Sequence, residues 1–188
     1  MIQIRSARLD DAEPIAGVHV ATWRTAYAGM LPDHVLLGLS SDAEYRYWRH
    51  AIAARQRDCS VYVAADEDSE ILGYGSAGPA RSNGLPFADE IYTLYVAPDH
   101  QGKVLGCGLL HGLFGALHHH GNQSAILWVL AANPARFFYR AMGGTLVAER
   151  RERYFGALLD ELAYGWADLK NLADAHETAP FGQAHDNG

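Results

Sequence analysis

Two short stretches of this chain carry residues whose types and spacing could do chemistry. The first runs Glu90-Ile91-Tyr92-Thr93-Leu94-Tyr95-Val96-Ala97-Pro98 and continues through Gln101-Gly102-Lys103-Val104-Leu105-Gly106-Cys107-Gly108. Residues 90–97 are dense in Tyr, Ile, Leu and Val and read as a strand buried on both faces. Pro98 stops it, and a glycine-rich turn follows over residues 101–108. Such a turn presents backbone N–H groups at the positive end of a helix dipole, which suits a phosphate or pyrophosphate. Tight packing of a helix on a strand also wants glycine, so this feature alone leaves anion binding and packing open. The second stretch is Leu127-Trp128-Val129-Leu130, a strand, leading into Asn133-Pro134-Ala135-Arg136-Phe137-Phe138-Tyr139-Arg140-Ala141-Met142-Gly143-Gly144. Asn133 followed by proline at the first helical position is a favoured helix start, and the glycine pair ends that helix.

The remaining pattern supplies elements to position these stretches. Residues 2–5 alternate like a short strand. Asp10, with Glu13 three residues on, predicts a capped helix whose spaced residues Ile15, Val18, His19, Thr22, Trp23 and Ala26 run toward Gly29. A short helix is expected from Pro32 to Leu39, and a third, capped by Ser41, to about Gln56. Residues 60–65 and 71–77 flank the polar turn Asp66-Glu67-Asp68-Ser69 and predict a hairpin. Leu105, Leu109, Leu110, Leu113, Phe114 and Leu117 form one apolar stripe on a helix ending near His120. Strands are expected over 125–131, 145–151 and 158–166, with a short helix near 166–175 in a polar tail. This order predicts a mixed α/β domain with helices on both faces. The expected organisation is a domain over 1–166 and a C-terminal extension over 167–188.

Composition narrows the function classes. The 188 residues suffice for one domain with a proper core. A net charge of −7 argues against nucleic acid or an anionic membrane as partner, since either wants a basic surface. Cys59 and Cys107 belong to no metal-ligand spacing. The N-terminal residues lack a long apolar run, which predicts neither a leader nor a membrane span, and hence a cytoplasmic protein with reduced thiols. His118-His119-His120 is read as a solvated helix end that complements the dipole, not as a metal site.

Taken together, Leu94-Tyr95-Val96, Gln101-Gly102-Lys103, Leu109-Leu110, Asn133, Ala135, Phe138-Tyr139 and Gly143 closely resemble the paired motifs of the GCN5-related N-acetyltransferase superfamily. The resemblance spans roughly residues 1–166, and Trp23-Arg24-Thr25-Ala26-Tyr27-Ala28-Gly29-Met30-Leu31-Pro32 is similar to the opening of one bacterial branch. It implies a splayed mixed sheet of about six to seven strands holding acetyl-CoA between the strand at Leu94 and the strand at Trp128. The pantetheine arm would pair with backbone groups of Leu94 and Val96, with Tyr95 between them. The pyrophosphate would sit on amides from Gln101 through Gly102, Lys103, Val104 and Leu105 to Gly106. Asn133 would meet the pantetheine arm, serve as an N-cap, or both, and Lys103 and Arg136 would meet phosphates or solvent. The family prefers glycine where this chain has Val104, whose side chain is expected to crowd the phosphates and to tolerate unusual backbone angles poorly.

The implied reaction is direct attack of a neutral amine on the thioester, with no metal and no covalent intermediate. By family position, Tyr139 would protonate the departing thiolate, the alternative being a tyrosine that packs helix on sheet. Glu90 would be the general base, directly or through water, against a plain strand-end glutamate, with Asp89 as fallback. Trp23 and Tyr27, four apart on one helical face, Tyr92 and Tyr154 are the acceptor-pocket residues, against an aromatic core stripe. Backbone N–H groups near Val96 would stabilise the oxyanion. The acceptor expected is an amine of a small molecule or a peptide N-terminus, and a homodimer is compatible with the family. Transfer of longer acyl chains, a protein acceptor, and a non-catalytic acyl-CoA-binding module are the alternatives, the last resting on Val104 alone.

Overall fold

Alternating apolar residues and tight turns fold the chain into a seven-stranded sheet whose middle is pried open. The computed structural model describes residues 1–54, 59–81, 84–102 and 104–172. The strands are β1 (Gln3–Ser6), β2 (Ser60–Ala65), β3 (Ile71–Pro79), β4 (Asp89–Val96), β5 (Ala125–Leu130), β6 (Thr145–Tyr154) and β7 (Ala157–Trp166). Their spatial order is β1-β2-β3-β4-β5-β7-β6. Only β4 and β5 run parallel, and the other neighbours are antiparallel. The helices are α1 (Ala12–Ala26), α2 (Asp33–Leu37), α3 (Ser41–Ala54), α4 (Leu105–His119) and α5 (Ala135–Ala141).

One face of the sheet is covered by α1 and α3, where Ile15, Val18, Trp48 and Ile52 meet Val63 and Tyr74. On the opposite face α4 and α5 bring Leu110, Leu113, Phe114, Leu117 and Tyr139 against Leu127, Tyr164 and Trp166. This mixed α/β architecture is the one expected. The expected boundary after Trp166 cuts through that second core. Residues 169–172 are helical, Leu169 is fully buried in the cluster, and its N–H bonds to the Gln123 carbonyl at 3.0 Å. The remainder of the expected extension, 173–188, lies outside the described residues, as do 55–58 at the end of the third expected helix.

Local signals place most helix ends within a residue or two, with instructive shifts. The first cap is Asp11, not Asp10. Its carboxylate accepts the Arg8 N–H at 2.6 Å and grips the Arg5 guanidinium at 2.6 and 2.9 Å, so a short 3-10 turn over Leu9–Asp11 precedes α1. At α3 the cap is Ser40, whose hydroxyl accepts from the Ala43 N–H at 3.4 Å. The turn between β6 and β7 uses Phe155 at φ 51° and Gly156 at φ 83°, a two-residue reversal that joins twisted strands without splaying them.

The opening in the sheet has two causes. In the β3–β4 ladder Ile91 faces Ala77 and Thr93 faces Ser76, so Tyr92 is an extra residue, a bulge that bends β4. Beyond it β4 parts from β5: the two pair only at Asp89 with Ala125 and at Glu90 with Ile126. The expectation that β4 is buried on both faces therefore holds only for Asp89, Glu90 and Ile91, because residues 92–96 are half-buried along a gap.

Candidate active site

The gap between β4 and β5 is a cleft of about 720 Å³ walled by the end of α1, the turn into α4, and the start of α5. Along β4 its edge is unpaired backbone. The Val96 carbonyl accepts the Gln101 side-chain amide at 3.0 Å and the Thr22 hydroxyl at 3.4 Å, which shows that Val96 turns its polar groups toward the cleft rather than toward β3. Two-residue alternation gives Leu94 the same orientation. An extended ligand arm could pair there as a further strand does.

At one end of the cleft stands the N-terminus of α4. Gly102 takes φ 74°, which reverses the chain into the helix, and no described side chain caps the first turn. The leading amides of a helix have no intrahelical partners, and with the dipole they make a ready anion site. At Gly106 an added Cβ would stand 3.4 Å from the Phe138 ring, an ordinary contact, so packing does not require glycine there. The glycine-rich stretch thus divides: Gly102 belongs to the turn, while Gly106 and the buried Gly108 lie inside the helix. Val104 adopts φ −67° and ψ 0°, ordinary for any residue, and its side chain is 61% exposed. The expected backbone strain at this position is absent.

On the opposite wall Asn133 is buried and its Oδ1 accepts the Ala135 N–H at 2.9 Å, capping α5. That cap aims Tyr139 into the cleft one turn later. Tyr139 is 6% exposed, and no described residue hydrogen-bonds its hydroxyl. Burial, and secondarily the neighbouring Tyr27, raise its pKa well above the usual phenol value, so it stays protonated at neutral pH. Tyr27 faces it from α1, with its hydroxyl 3.1 Å from that of Tyr95. Burial raises the Tyr27 pKa, the Tyr95 bond lowers it, the Glu161 charge raises it, and a hydrogen bond from Asn133 lowers it.

Leu94, Tyr95, Val96, Gln101, Gly102, Gly106, Asn133, Tyr139, Tyr27 and Tyr92 all line the cleft. Several other expected residues do not. Trp23 stacks on His19 at 5.1 Å and packs against Tyr27 at 5.0 Å, so of that pair only Tyr27 reaches the cleft. Leu105 is in the core with Leu109, and Arg136 lies over the Phe137 ring at 4.6 Å. Tyr154 bonds to Arg150 at 3.1 Å beside the cleft rather than in it. Lys103 lies outside the described residues.

The largest departure concerns Glu90. It sits at the closed end of the gap, where β4 still pairs with β5, and is 2% exposed. Arg81 engages both carboxylate oxygens, through its backbone N–H at 2.9 Å and its guanidinium at 2.6 Å, and also covers the Tyr92 ring at 4.4 Å. Asp89 is equally buried at the same end. Neither carboxylate lines the cleft, so the geometry lends no support to the expected base here. Glu90→Gln should therefore lower thermal stability, by about 1–2 kcal/mol for a charge-assisted bond to a largely exposed arginine. Turnover per folded molecule should stay within about threefold of wild type, far from the loss of a general base. Thermal melts beside a thiol-release assay check both, and a hundredfold loss of kcat would return Glu90 to the chemistry.

Sequence reasoning assigned no site role to Thr22, Met30 or Thr93, which also line the cleft with Trp128 and Cys107, nor to the Arg150–Glu161 pair beside it. A signal for that pair was present. Arg150-Arg151 and Asp160-Glu161 are charge-complementary about the turn at Phe155-Gly156, and the register pairs Arg150 with Glu161 and Arg151 with Asp160. Among the described residues no cluster of three or more His, Cys, Asp or Glu is placed to hold a metal ion, and no described helix is long and apolar enough to cross a membrane.

Comparison with known proteins agrees with this geometry. The model of the acetyltransferase (GNAT) family matches residues 22–143. The uncharacterized N-acetyltransferase YuaI of Bacillus subtilis is 34% identical over 172 residues, covering 92% of this chain and 96% of YuaI. Among solved structures, the PaiA N-acetyltransferase of Thermoplasma acidophilum in complex with coenzyme A superposes with a TM-score of 0.65 at 21% identity, covering 86% of this chain and 98% of that one. The yncA protein of Salmonella typhimurium, solved with its cofactor acetyl-CoA, gives 0.66 at 23% identity, covering 90% and 95%.

Proposed function

We propose that this chain, which belongs to the acetyltransferase (GNAT) family, moves an acetyl group from acetyl-CoA to a small-molecule amine by direct attack, with the residues around its central cleft in the roles below. Acetyl transfer to nitrogen follows from the family; the residue assignments and the acceptor are our reading. The observation that carries it is the splay of β4 from β5, with the free edge of Leu94 and Val96 on one side, Asn133 and Tyr139 on the other, and the first turn of α4 at the end.

The donor fits these residues. Leu94 and Val96 offer a strand edge to a pantetheine arm, and Asn133 stands opposite it. The amides at the start of α4 suit a pyrophosphate. Bound acetyl-CoA supplies an activated acyl carbon. The Val96 N–H, on the edge where its carbonyl already faces the cleft, is placed to stabilise negative charge on the acyl oxygen. The Tyr139 hydroxyl, kept protonated by burial, donates toward the sulfur as the C–S bond lengthens. The functional unit runs at least to Leu172, since Leu169 and Leu172 pack in the core behind Tyr139.

Calorimetric titration with acetyl-CoA and with CoA tests the reading. Saturable binding is expected with dissociation constants on the order of micromolar to tens of micromolar. A panel of primary amines with a thiol-release readout should then give turnover. Absence of binding at millimolar ligand would overturn the assignment of the cleft to the donor.

A further inference from the structure

The acceptor nitrogen is an ammonium in water, since alkyl amines have pKa values near ~10. A site that collects it from solution needs a carboxylate beside the cleft, and Glu90 and Asp89 are sealed at the closed end. A different carboxylate stands beside the cleft, next to its Trp128 wall. Glu161 lies in β7 directly opposite Leu130 of β5 and Arg150 of β6, so its side chain shares their face of the sheet. Trp128, two residues before Leu130, projects from that same face and lines the cleft. Arg150 lies over the Trp128 ring, 3.9 Å from its centroid, and so ties the pair to the cleft wall.

The bonding of Glu161 is lopsided. Arg150 Nε donates to its Oε2 at 2.7 Å, and the Tyr154 hydroxyl donates to the same oxygen at 3.3 Å. Oε1 accepts no hydrogen bond from a described residue, although the side chain is only 12% exposed. A carboxylate oriented through one oxygen by an arginine and a tyrosine presents the other oxygen in a fixed direction. Its field reaches the cleft, because the Glu161 charge contributes to raising the Tyr27 pKa, after the larger effect of burial.

We propose that Glu161 Oε1 is the subsite that collects the acceptor's ammonium and takes one proton from its nitrogen, passing it on to solvent, so that the neutral amine can attack, and that the acceptor is a small cationic primary amine whose apolar body lies among Tyr27, Met30 and Trp128. Arg150 and Tyr154 are positioning residues: they hold Glu161, and Arg150 holds it against Trp128. The site selects for a protonated alkyl amine over weakly basic aromatic amines and over neutral alcohols of the same shape. This inference rests on the donor reading above, because the acceptor meets the cleft with the donor in place.

The test uses the full chain loaded with CoA and n-butylamine as probe, which is almost entirely n-butylammonium at pH 7. Calorimetry should show saturable binding of n-butylamine and none of 1-butanol. Glu161→Gln keeps an oxygen for Arg150 and removes the charge. It should weaken n-butylamine at least tenfold while the CoA dissociation constant stays the same. Equal affinity of wild type and E161Q for n-butylamine overturns the subsite, as does equal binding of 1-butanol to the wild type, a comparison that needs no variant. CoA binding without n-butylamine binding overturns the subsite alone and leaves the donor reading standing, whereas failure to bind CoA overturns both.

Discussion

Tyr139→Phe is expected to lower kcat by about 10²–10³ while leaving acetyl-CoA affinity within about twofold. The substitution removes one oxygen from a side chain that is otherwise held by packing: Tyr139 contacts Phe138 with ring centroids 5.4 Å apart and Tyr164 at 6.4 Å. No described residue bonds the hydroxyl, so no internal partner is orphaned and the fold should be unaffected. The effect lies in the transition state. As the thioester cleaves, sulfur gains a charge in a half-dry cleft, where a single well-placed donor contributes about 3–4 kcal/mol. The raised phenol pKa shapes how it acts. Burial makes Tyr139 a poor acid for complete proton transfer to a thiolate but a secure hydrogen-bond donor across the neutral range. The decisive comparison is kcat at saturating acetyl-CoA, with the amine that gives best turnover in the panel, beside the dissociation constant from calorimetry. A kcat within about fivefold of wild type would assign Tyr139 to packing alone.

The second large effect is expected in stability against pH, and it is traced to His19. This ring is 8% exposed inside α1, stacked on Trp23 and flanked by Trp48, Tyr74 and Tyr95. Its Nδ1 is 2.6 Å from the Tyr74 hydroxyl and its Nε2 is 3.7 Å from a Glu44 oxygen. Glu44 would favour a charged ring, but desolvation outweighs it and pulls the pKa from 6.5 down to about 4. Between those values the unfolded chain binds a proton that the folded chain refuses. Stability is therefore full above pH 6.5, falls as the pH drops, and stops falling on this account below about pH 4. The loss over that window is about 3 kcal/mol. His19→Gln retains a polar partner for Tyr74 and removes the titration. Denaturant unfolding between pH 7 and pH 4 should show a shallower decline for the variant by about that amount, and parallel curves would refute the assignment.

Both arguments depend on context that no single stretch of sequence contains, and the same holds for the carboxylates. Glu90 opens the central strand, as the motif suggested, but its environment is set by which neighbour β4 pairs with at that point. Parallel pairing with β5 at Glu90 and Ile126 closes the sheet there, and the bulge at Tyr92 opens it a residue or two later. A bulge needs one residue too many relative to a partner strand, so it is a property of the β3–β4 register and cannot be seen in β4 alone. Glu161 was overlooked for the complementary reason. In sequence it is one acid in a polar-apolar alternation; it becomes notable once β7 is inserted between β5 and β6, which brings Arg150 and Trp128 to its face.

Local chemistry by itself determined the elements and the donor side of the site. Period-2 and period-3.6 patterns, a proline that stops β4, a glycine that can take φ 74° before α4, and an asparagine that caps α5 are short-range constraints, and they lie within the two motifs. That is why Leu94, Val96, Gln101, Gly102, Asn133 and Tyr139 could be named from sequence and are found around one cleft. The acceptor side was decided by tertiary structure. The residues we propose for it come from the end of α1 and from strands β5, β6 and β7, elements far apart in the chain, and the charge pairing among them follows from strand order and register rather than from residue type. A carboxylate reads the same in sequence whether an arginine engages both its oxygens or only one of them.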